Sequence, residues 1–388
     1  MPTRPEWRRT SPVVASVRMS TATLSLALAL LAIAMVLGAV WWGARRSGRV
    51  AAVAGLVAAG VGLVVQLAAV RANGGDHFDA MSVVYVDLVV VLPVVAAALL
   101  VASVLPRRWG APRLGPAGRA VAAVALLAAP LGFYTTHVEP YRVTLDRAEQ
   151  PLPAERDGDD TVRVGVLTDL QTTEIGAYER RAVRLLAEAE PDLVLVGGDL
   201  FQGTPAQFSA NRDALRDLFT SLDAPGGVYV VQGDTDDGPT LDALFAGTGV
   251  TYLWNEVVDT RVGDRRVRLA GLGLGRGVEG RAALAELAAA PEGTVRIALT
   301  HRPDWALEAA PGTVDLVVAG HTHGGQVQVP VIGPLMTLTD VPRDVAAGGL
   351  HELRDNPVYV SHGVGHEQQG APQIRFLAPP DVGLVTLG

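Results

Sequence analysis

The sequence predicts an α/β domain carried behind a membrane region of four helices, and three observations predict it. Apolar and acidic residues are segregated along the 388-residue chain, four early runs reach membrane-spanning length, and later β-rich runs alternate with amphipathic patterns. Hydrophobic residues make up 49% of the chain, yet the formal net charge is −8. Only Glu6, Asp76, Asp79 and Asp87 precede Glu139, so the carboxylates belong to the second part. There is no cysteine, which excludes a disulfide framework, a thiolate metal site and a cysteine nucleophile. All 32 basic residues are arginine; biased base composition accounts for that without any function.

A helix needs about 20 apolar residues to cross the hydrocarbon core. Residues 20–43, 50–70, 81–105 and 120–138 satisfy this, so residues 1–138 are expected to form the membrane region. The first run is too long for a signal-peptide core and is followed by Arg45 and Arg46, so it reads as a retained span. Trp41, Trp42 and Trp109 lie at span ends, where interfacial aromatics collect. Asp87 falls inside the third span, and its simplest reading is a carboxylate facing a polar loop or a neighbouring helix. Loop charge gives the orientation. Arg45, Arg46 and Arg49 in the first loop, and Arg107, Arg108, Arg113 and Arg119 in the third, favour the inside. Arg4, Arg8, Arg9 and Arg18 in the N-terminal tail vote the other way. The expectation is an integral membrane protein with an extracytoplasmic C-terminal domain.

Residues 139–160, polar and rich in Pro and Asp, read as a linker, and residues 161–388 as the second domain. There the pattern is that of βαβ units. Strands are expected at 162–167, 192–196 and 228–231, with helices at 178–190 and 211–222 between them. Each strand runs into an acidic loop that carries Asp169, Asp199 or Asp234, spaced 30 and 35 positions apart, about one βαβ repeat. Parallel neighbours with that spacing bring the three carboxylates to one C-terminal sheet edge. Three carboxylates gathered there repel one another, and a divalent cation relieves the repulsion. A single strand-end Asp is usually a helix cap or turn residue; three in succession are not.

Two further strands, at 294–300 and 314–319, deliver His301 and the run Gly320-His321-Thr322-His323-Gly324-Gly325-Gln326. Two histidines separated by one residue and flanked by glycines are specific as metal ligands. A mixed imidazole and carboxylate set suits Mn, Fe or Zn rather than Mg or Ca alone.

These residues resemble those of the calcineurin-like metallophosphoesterases, in particular their membrane-associated bacterial branch. The resemblance covers residues 162–387, including a closing segment at 359–365 and a strand pair at 374–387, and the Gly-His-Thr-His-Gly-Gly-Gln run is its most specific piece. It implies a metallophosphoesterase-type β-sandwich: two mixed sheets flanked by helices, with two divalent metal ions at the edge between them. It implies that Asp199 bridges both ions, that Asp169 and His323 serve the first, and that Asp234, His301 and His321 serve the second. The activity implied is hydrolysis of phosphomonoester, phosphodiester or pyrophosphate bonds by a hydroxide activated between the ions.

Two departures stand out. Asp169-Leu170-Gln171 replaces Asp-x-His, so Gln171 is the expected metal ligand there, a neutral oxygen donor weaker than imidazole. Gly233-Asp234-Thr235-Asp236 replaces Gly-Asn-His-Asp, which adds a charge at the second ion and removes the histidine that the resemblance implies as proton donor to the leaving group. General acid–base help is typically worth about 10²–10⁴-fold. Thr235, Asp236 and Asp237 are the residues nearest in sequence that could take its place. Arg302 and Gln326 are candidates to touch phosphate, and His362 and His366 to border the cleft.

The reading that follows is a membrane-anchored hydrolase whose partners are the bilayer and a phosphate substrate, lipid-linked or envelope-derived, with no nucleic acid expected. The rival, carried by Gln171 and Thr235, is a catalytically impaired membrane sensor that binds metal or phosphate.

Overall fold

The structure is a computed structural model that describes residues 21–104, 114–368 and 370–388. The N-terminal arginines and the group Arg107, Arg108, Trp109 and Arg113 lie outside the described residues. The chain separates into two compact units, one comprising the helical region up to Pro130 with Gly370–Pro372 and the other an α/β domain of the remaining residues from Leu131.

The helical unit contains α1 (Thr21–Ala44), α2 (Gly48–Ala72), α3 (His77–Val86), α4 (Leu92–Val104) and α5 (Pro116–Leu126); α6 (Ala128–His137) straddles its boundary. Four stretches, Leu26–Ala44, Arg49–Ala72, His77–Val104 and Pro116–Tyr141, are long and apolar enough to cross a membrane. Their ends follow from local chemistry. Ser47 caps α2 by accepting from the Val50 amide, and Asp76 with Asp79 forms a capping box on α3. Arg45 lies over the Trp41 ring and Arg46 over Trp42. Asp87 opens a π-helical turn, Asp87–Val91, and accepts a 2.8 Å hydrogen bond from Gln66 on α2, so it faces a neighbouring helix.

In the α/β domain, β1 (Thr144–Gln150), β2 (Val162–Leu167), β3 (Leu193–Val196), β4 (Val228–Val230) and β5 (Val250–Tyr252) contribute to one sheet. A second sheet begins with β6 (Glu256–Val262), β7 (Arg265–Leu272), β8 (Val295–Thr300) and β9 (Leu316–Ala319). After the short hairpin of β10 (Gln328–Val329) and β11 (Gly333–Pro334) come β12 (Gly349–Leu353), β13 (Asn356–Val360) and β14 (Asp381–Leu387). The two six-stranded sheets have the orders β1-β14-β2-β3-β4-β5 and β12-β13-β9-β8-β7-β6. Helices α7 (Ala177–Ala187), α8 (Pro205–Thr220) and α9 (Gly238–Phe245) follow β2, β3 and β4, α10 (Val278–Ala288) follows β7, and α11 (Arg343–Ala346) precedes β12.

The alternation within each strand explains the layers. Val162, Val164 and Val166 of β2 meet Leu269, Ile297, Leu299 and Val318 of the second sheet, while Leu167 and the other face of β3 pack on Leu186, Leu215 and Phe219. A third cluster holds Leu284, Leu287 and Trp305 on the outer face of the second sheet. The result is the two-sheet sandwich flanked by helices that the sequence implied. Each fully buried aliphatic side chain is worth about 1.5–3 kcal/mol, so the sheets, not the loops at their edge, carry the stability.

Three sequence expectations need correction. Residues 139–160 are not a plain linker, because β1 pairs in parallel with β14 and the buried Glu139 accepts from the Ala378 amide. The pair expected at 374–387 is a single strand, β14; Phe376 instead bridges Val327. Helix α8 starts at Pro205, six residues earlier than expected, because Thr204 and Gln207 form a capping box with Pro205 at the first helical position.

Candidate metal centre

Every expected ligand follows the C-terminal end of a parallel strand. Asp169 and Gln171 follow β2, Asp199 follows β3, Asp234 follows β4, His301 follows β8, and His321 with His323 follows β9. The sheet-edge rule thus converts sequence spacing into proximity. Two groups form: Asp234 with His301 and His321, and Asp169 with Asp199 and His301, each with its donor atoms within 4.8 Å of one another. His323 joins the second group, with its Nε2 3.9 Å from Asp169 Oδ1.

The backbone around these donors is strained. Asp169, Gln171, Asp199, His321 and His323 all have φ between 37° and 70°, a region that non-glycine residues enter at a cost. Glycine makes the approach possible: a Cβ on Gly320 would stand 2.3 Å from Asp169 Oδ2, and one on Gly233 would stand 2.2 Å from the Asp199 amide nitrogen.

Donor chemistry tests whether cations fit. His301 is buried; its Nδ1 lies 2.8 Å from the Gly197 carbonyl, which can only accept, so the proton sits on Nδ1 and Nε2 offers a lone pair. That Nε2 has no hydrogen-bond partner and stands 3.4 Å from Asp234 and 3.6 Å from Asp199. His321 places Nε2 against the Leu338 carbonyl at 3.1 Å, which leaves Nδ1 free, 3.0 Å from Asp234 Oδ2. Both imidazoles are therefore oriented as ligands, each held through its other nitrogen.

On the Asp169 side the key donor is Gln171. Its amide nitrogen donates to Gln202 Oε1 and Glu367 Oε2, both at 3.1 Å, and Glu367 also accepts from Gln202. A carboxylate can only accept, so the Gln171 amide cannot be reversed, and its buried Oε1 is left without a partner. An oriented, buried and unsatisfied oxygen two residues along the chain from Asp169 fits a cation. His323 fits less well. The buried Arg375 points Nη2 at His323 Nδ1 across 3.2 Å, and a guanidinium only donates. The proton of the neutral ring is thereby placed on Nε2, the nitrogen that faces Asp169. The two positions differ, and the Asp234 side has the better prepared donors.

Charge at the centre is consistent with this. Burial pushes Asp169 up to about 6, opposed by His301 and reinforced by Asp199. Burial disfavours charge on His301, but Asp199, Asp234 and Asp169 outweigh it and push the imidazole up to about 10. Burial also opposes charge on Asp234, yet the imidazoles of His301 and His321 beside it and the Arg302 guanidinium that donates to it hold it well below the usual carboxylate range. The carboxylates call for positive charge, and a proton on His301 supplies it when no cation does. His323 is held well below its ordinary value by burial and then by Arg375, so it stays neutral.

The remaining expectations divide. Thr235 donates both its amide, at 2.7 Å, and its hydroxyl, at 3.2 Å, to Asp199 Oδ1, which steadies that carboxylate. Asp236 is not free to transfer a proton: its oxygens accept from the amides of Asp199, Leu200 and Gly233 at 2.7–2.9 Å, and it clamps the two ligand loops together. Asp237 caps α9 through Thr240. Arg302 is engaged with Asp234, donating from Nε at 3.1 Å and from Nη2, and so offsets the charge that Asp adds in place of Asn. Gln326 orders its loop through backbone bonds to His323 and Phe376. His362 spends both ring nitrogens on the carbonyls of Pro379 and Ala347. Gln202, Glu367 and Arg375 carry no motif that sequence reading could have used.

Comparison with known proteins identifies the family. The calcineurin-like phosphoesterase model matches residues 162–325. The phosphodiesterase YaeI of Escherichia coli is 31% identical over 195 residues, which cover 47% of this chain and 67% of YaeI. The chain belongs to the calcineurin-like phosphoesterase family. The metallophosphoesterase YkuE of Bacillus subtilis is 27% identical over 279 residues, covering 69% of this chain and 93% of YkuE. The UDP-2,3-diacylglucosamine pyrophosphatase LpxG of Chlamydia muridarum is 23% identical over 330 residues, covering 68% of this chain and 96% of LpxG. As a calcineurin-like phosphoesterase, the chain is a metal-dependent hydrolase of phosphate ester or anhydride bonds.

Proposed function

We propose that this phosphoesterase is anchored in the membrane by its four apolar helices and hydrolyses a phosphate-containing lipid or lipid-linked substrate with two divalent ions, Mn, Fe or Zn. The observation that carries the catalytic reading is His301 Nε2, oriented and without a hydrogen-bond partner, 3.4 Å from Asp234 and 3.6 Å from Asp199 in a cluster that also gathers Asp169 and His321. Asp234, His301 and His321 would hold the tighter ion, Asp169, Gln171 and His323 the looser one, and Asp199 both. When bound, the ions supply Lewis acidity to a phosphoryl oxygen and lower the pKa of a water.

The chain's own residues do the rest. Asp236 fixes the Asp199 and Gly233 loops, and Thr235 holds Asp199 Oδ1, so the bridging carboxylate keeps one orientation. Arg302, anchored on Asp234 and 41% exposed at its side chain, adds a cation facing solvent where an anionic substrate arrives. Loss of the leaving-group histidine makes turnover favour good leaving groups.

The lipid reading is supported by the four helices and by similarity to LpxG, whose name gives a diacylated sugar nucleotide as its substrate. The loop arginines Arg45, Arg46 and Arg49 support an extracytoplasmic catalytic domain. The test uses the full chain in proteoliposomes. Mn²⁺-dependent release of phosphate from a lipid pyrophosphate or phosphatidyl ester, absent in Asp199→Ala, supports the proposal. Hydrolysis of aryl phosphates with no turnover of any lipid phosphate would overturn the substrate class. A reporter fused after Gly388 that works only when exported supports the topology, and one that works only in the cytoplasm would overturn it.

A further inference from the structure

We propose that the hairpin between Gln328 and Leu338 docks into the lipid bilayer and brings the centre to phosphates carried at the membrane surface. Of nine large apolar side chains left exposed from Tyr141 onward among the described residues, five lie within eight positions here: Val331, Ile332, Leu335, Met336 and Leu338. The concentration decides the point, because scattered exposed apolar residues are ordinary and a contiguous set is not. No charged residue occurs from Val327 to Thr339. Val331 at the tip is fully exposed, with a relative accessibility of 107%, and its φ is 72°, a region β-branched residues rarely enter. Strain that holds an aliphatic side chain out into solvent serves no packing purpose within the domain.

The hairpin is fixed to the ligand loop. The Leu338 carbonyl lies 3.1 Å from His321 Nε2, and Gly325 packs so closely that a Cβ there would stand 2.4 Å from Pro334 Cβ. Leu338 also lines a cavity of about 190 Å³ with Arg276, Arg302 and Asp304, so apolar surface passes directly into a polar cleft beside Asp234. Arg276 is paired with Asp340 and Glu308, which leaves the partly exposed Arg302 as the cation for an anionic head, beside the centre, with the chains of an amphiphile along the hairpin. The occupant is lipid because the same chain carries four helices of membrane-spanning length, which keep the domain within reach of a bilayer.

This inference deepens the lipid-phosphate reading, and its test does not depend on turnover. The chain has no cysteine, so Ile332→Cys and a control, Val278→Cys, each accept a single environment-sensitive fluorophore. Val278 is 82% exposed on α10, far in sequence from the hairpin. In proteoliposomes of phosphatidylethanolamine and phosphatidylglycerol, the label at 332 is expected to show blue-shifted emission quenched by spin-labelled lipids, and the label at 278 to show neither. Equal emission at both sites without lipid quenching would overturn the proposal. So would a blue shift at 332 that grows with protein density and is not quenched by lipid, which would put a second copy of the chain on the patch. In a parallel assay, Val331→Asp with Ile332→Asp should raise KM for a vesicle-borne phosphate by about tenfold or more, since each aliphatic side chain buried contributes a factor of that order. KM for a soluble aryl phosphodiester should not change, which shows that the domain is folded. An equal rise for both substrates would refute lipid docking, whereas absence of turnover on every lipid with quenching at 332 intact would refute the substrate class and leave the docking surface standing.

Discussion

Replacing Glu367 by alanine isolates the reasoning about the looser metal position. Glu367 accepts from the amide groups of Gln171 and Gln202, and Gln202 in turn accepts from Gln171 and from the Gln368 amide. The carboxylate can only accept and the Gln368 backbone amide can only donate, so together they fix the direction of both side-chain amides, and the carboxylate is the charged partner of Gln171. Without it Gln202 is held by the Gln368 amide alone and Gln171 loses its charged acceptor, so its amide is free to reverse and turn an NH₂ group to the position proposed for the ion. A hydrogen bond to a charged group is worth about 1.5–3 kcal/mol. At 1.4 kcal/mol per decade that is about 10- to 100-fold in affinity, the range typical of residues that orient metal ligands. Calorimetric titration of Mn²⁺ into the chelator-treated full chain in detergent should resolve two steps, of which only the weaker is lost in Glu367→Ala. Glu367→Gln, which keeps one oxygen acceptor, should show a smaller loss. Two unchanged steps, or two that weaken equally, would refute the assignment of Gln171 as an oriented oxygen ligand.

Three further predictions come from residues around the centre. Asp236→Ala leaves three amides without their acceptor and should cost about 3 kcal/mol or more in thermal or denaturant stability, whereas Thr235→Ala should cost under about 1 kcal/mol. Arg302→Ala should tighten the stronger Mn²⁺ step by up to about fivefold, the scale of an exposed ion pair, while raising KM for anionic substrates. His366, pushed down to about 4 by burial and then by Arg375, is neutral when folded and has a reference value of 6.5. Its contribution is therefore present above pH 6.5 and is lost as pH falls towards 4, up to about 3 kcal/mol. Unfolding followed in EDTA should show a shallower loss between pH 6.5 and 4 in His366→Gln than in the wild type.

The candidate ligands, Gln171 apart, were legible because each stands where a strand-length apolar run gives way to Asp or His, and the parallel sheets gather those strand ends at one edge. The sandwich was legible only through resemblance, since periodicity alone does not pair β13 with β9 or β14 with β2. β1 escaped because its sequence, Thr-Leu-Asp-Arg-Ala-Glu-Gln, is polar enough for a linker and its partner β14 lies at the other end of the domain. Asp236 was misread for the same kind of reason: a carboxylate two residues from a ligand looks chemically available until the amides of Asp199, Leu200 and Gly233 are seen to occupy it. Arg375 and Glu367 arrive from irregular segments near the C-terminus, and only the folded chain shows that one opposes His323 as a ligand while the other prepares Gln171.

The central claim, that these carboxylates, imidazoles and one glutamine hold two catalytic ions, is tested most directly by counting metal in the full chain and in Asp199→Ala after equilibration with Mn²⁺, alongside hydrolysis of an aryl phosphodiester. Two ions per chain with turnover, and loss of turnover with fewer than two ions in the variant, is the predicted result. Two ions bound equally by both proteins, or turnover that survives in Asp199→Ala, would contradict it.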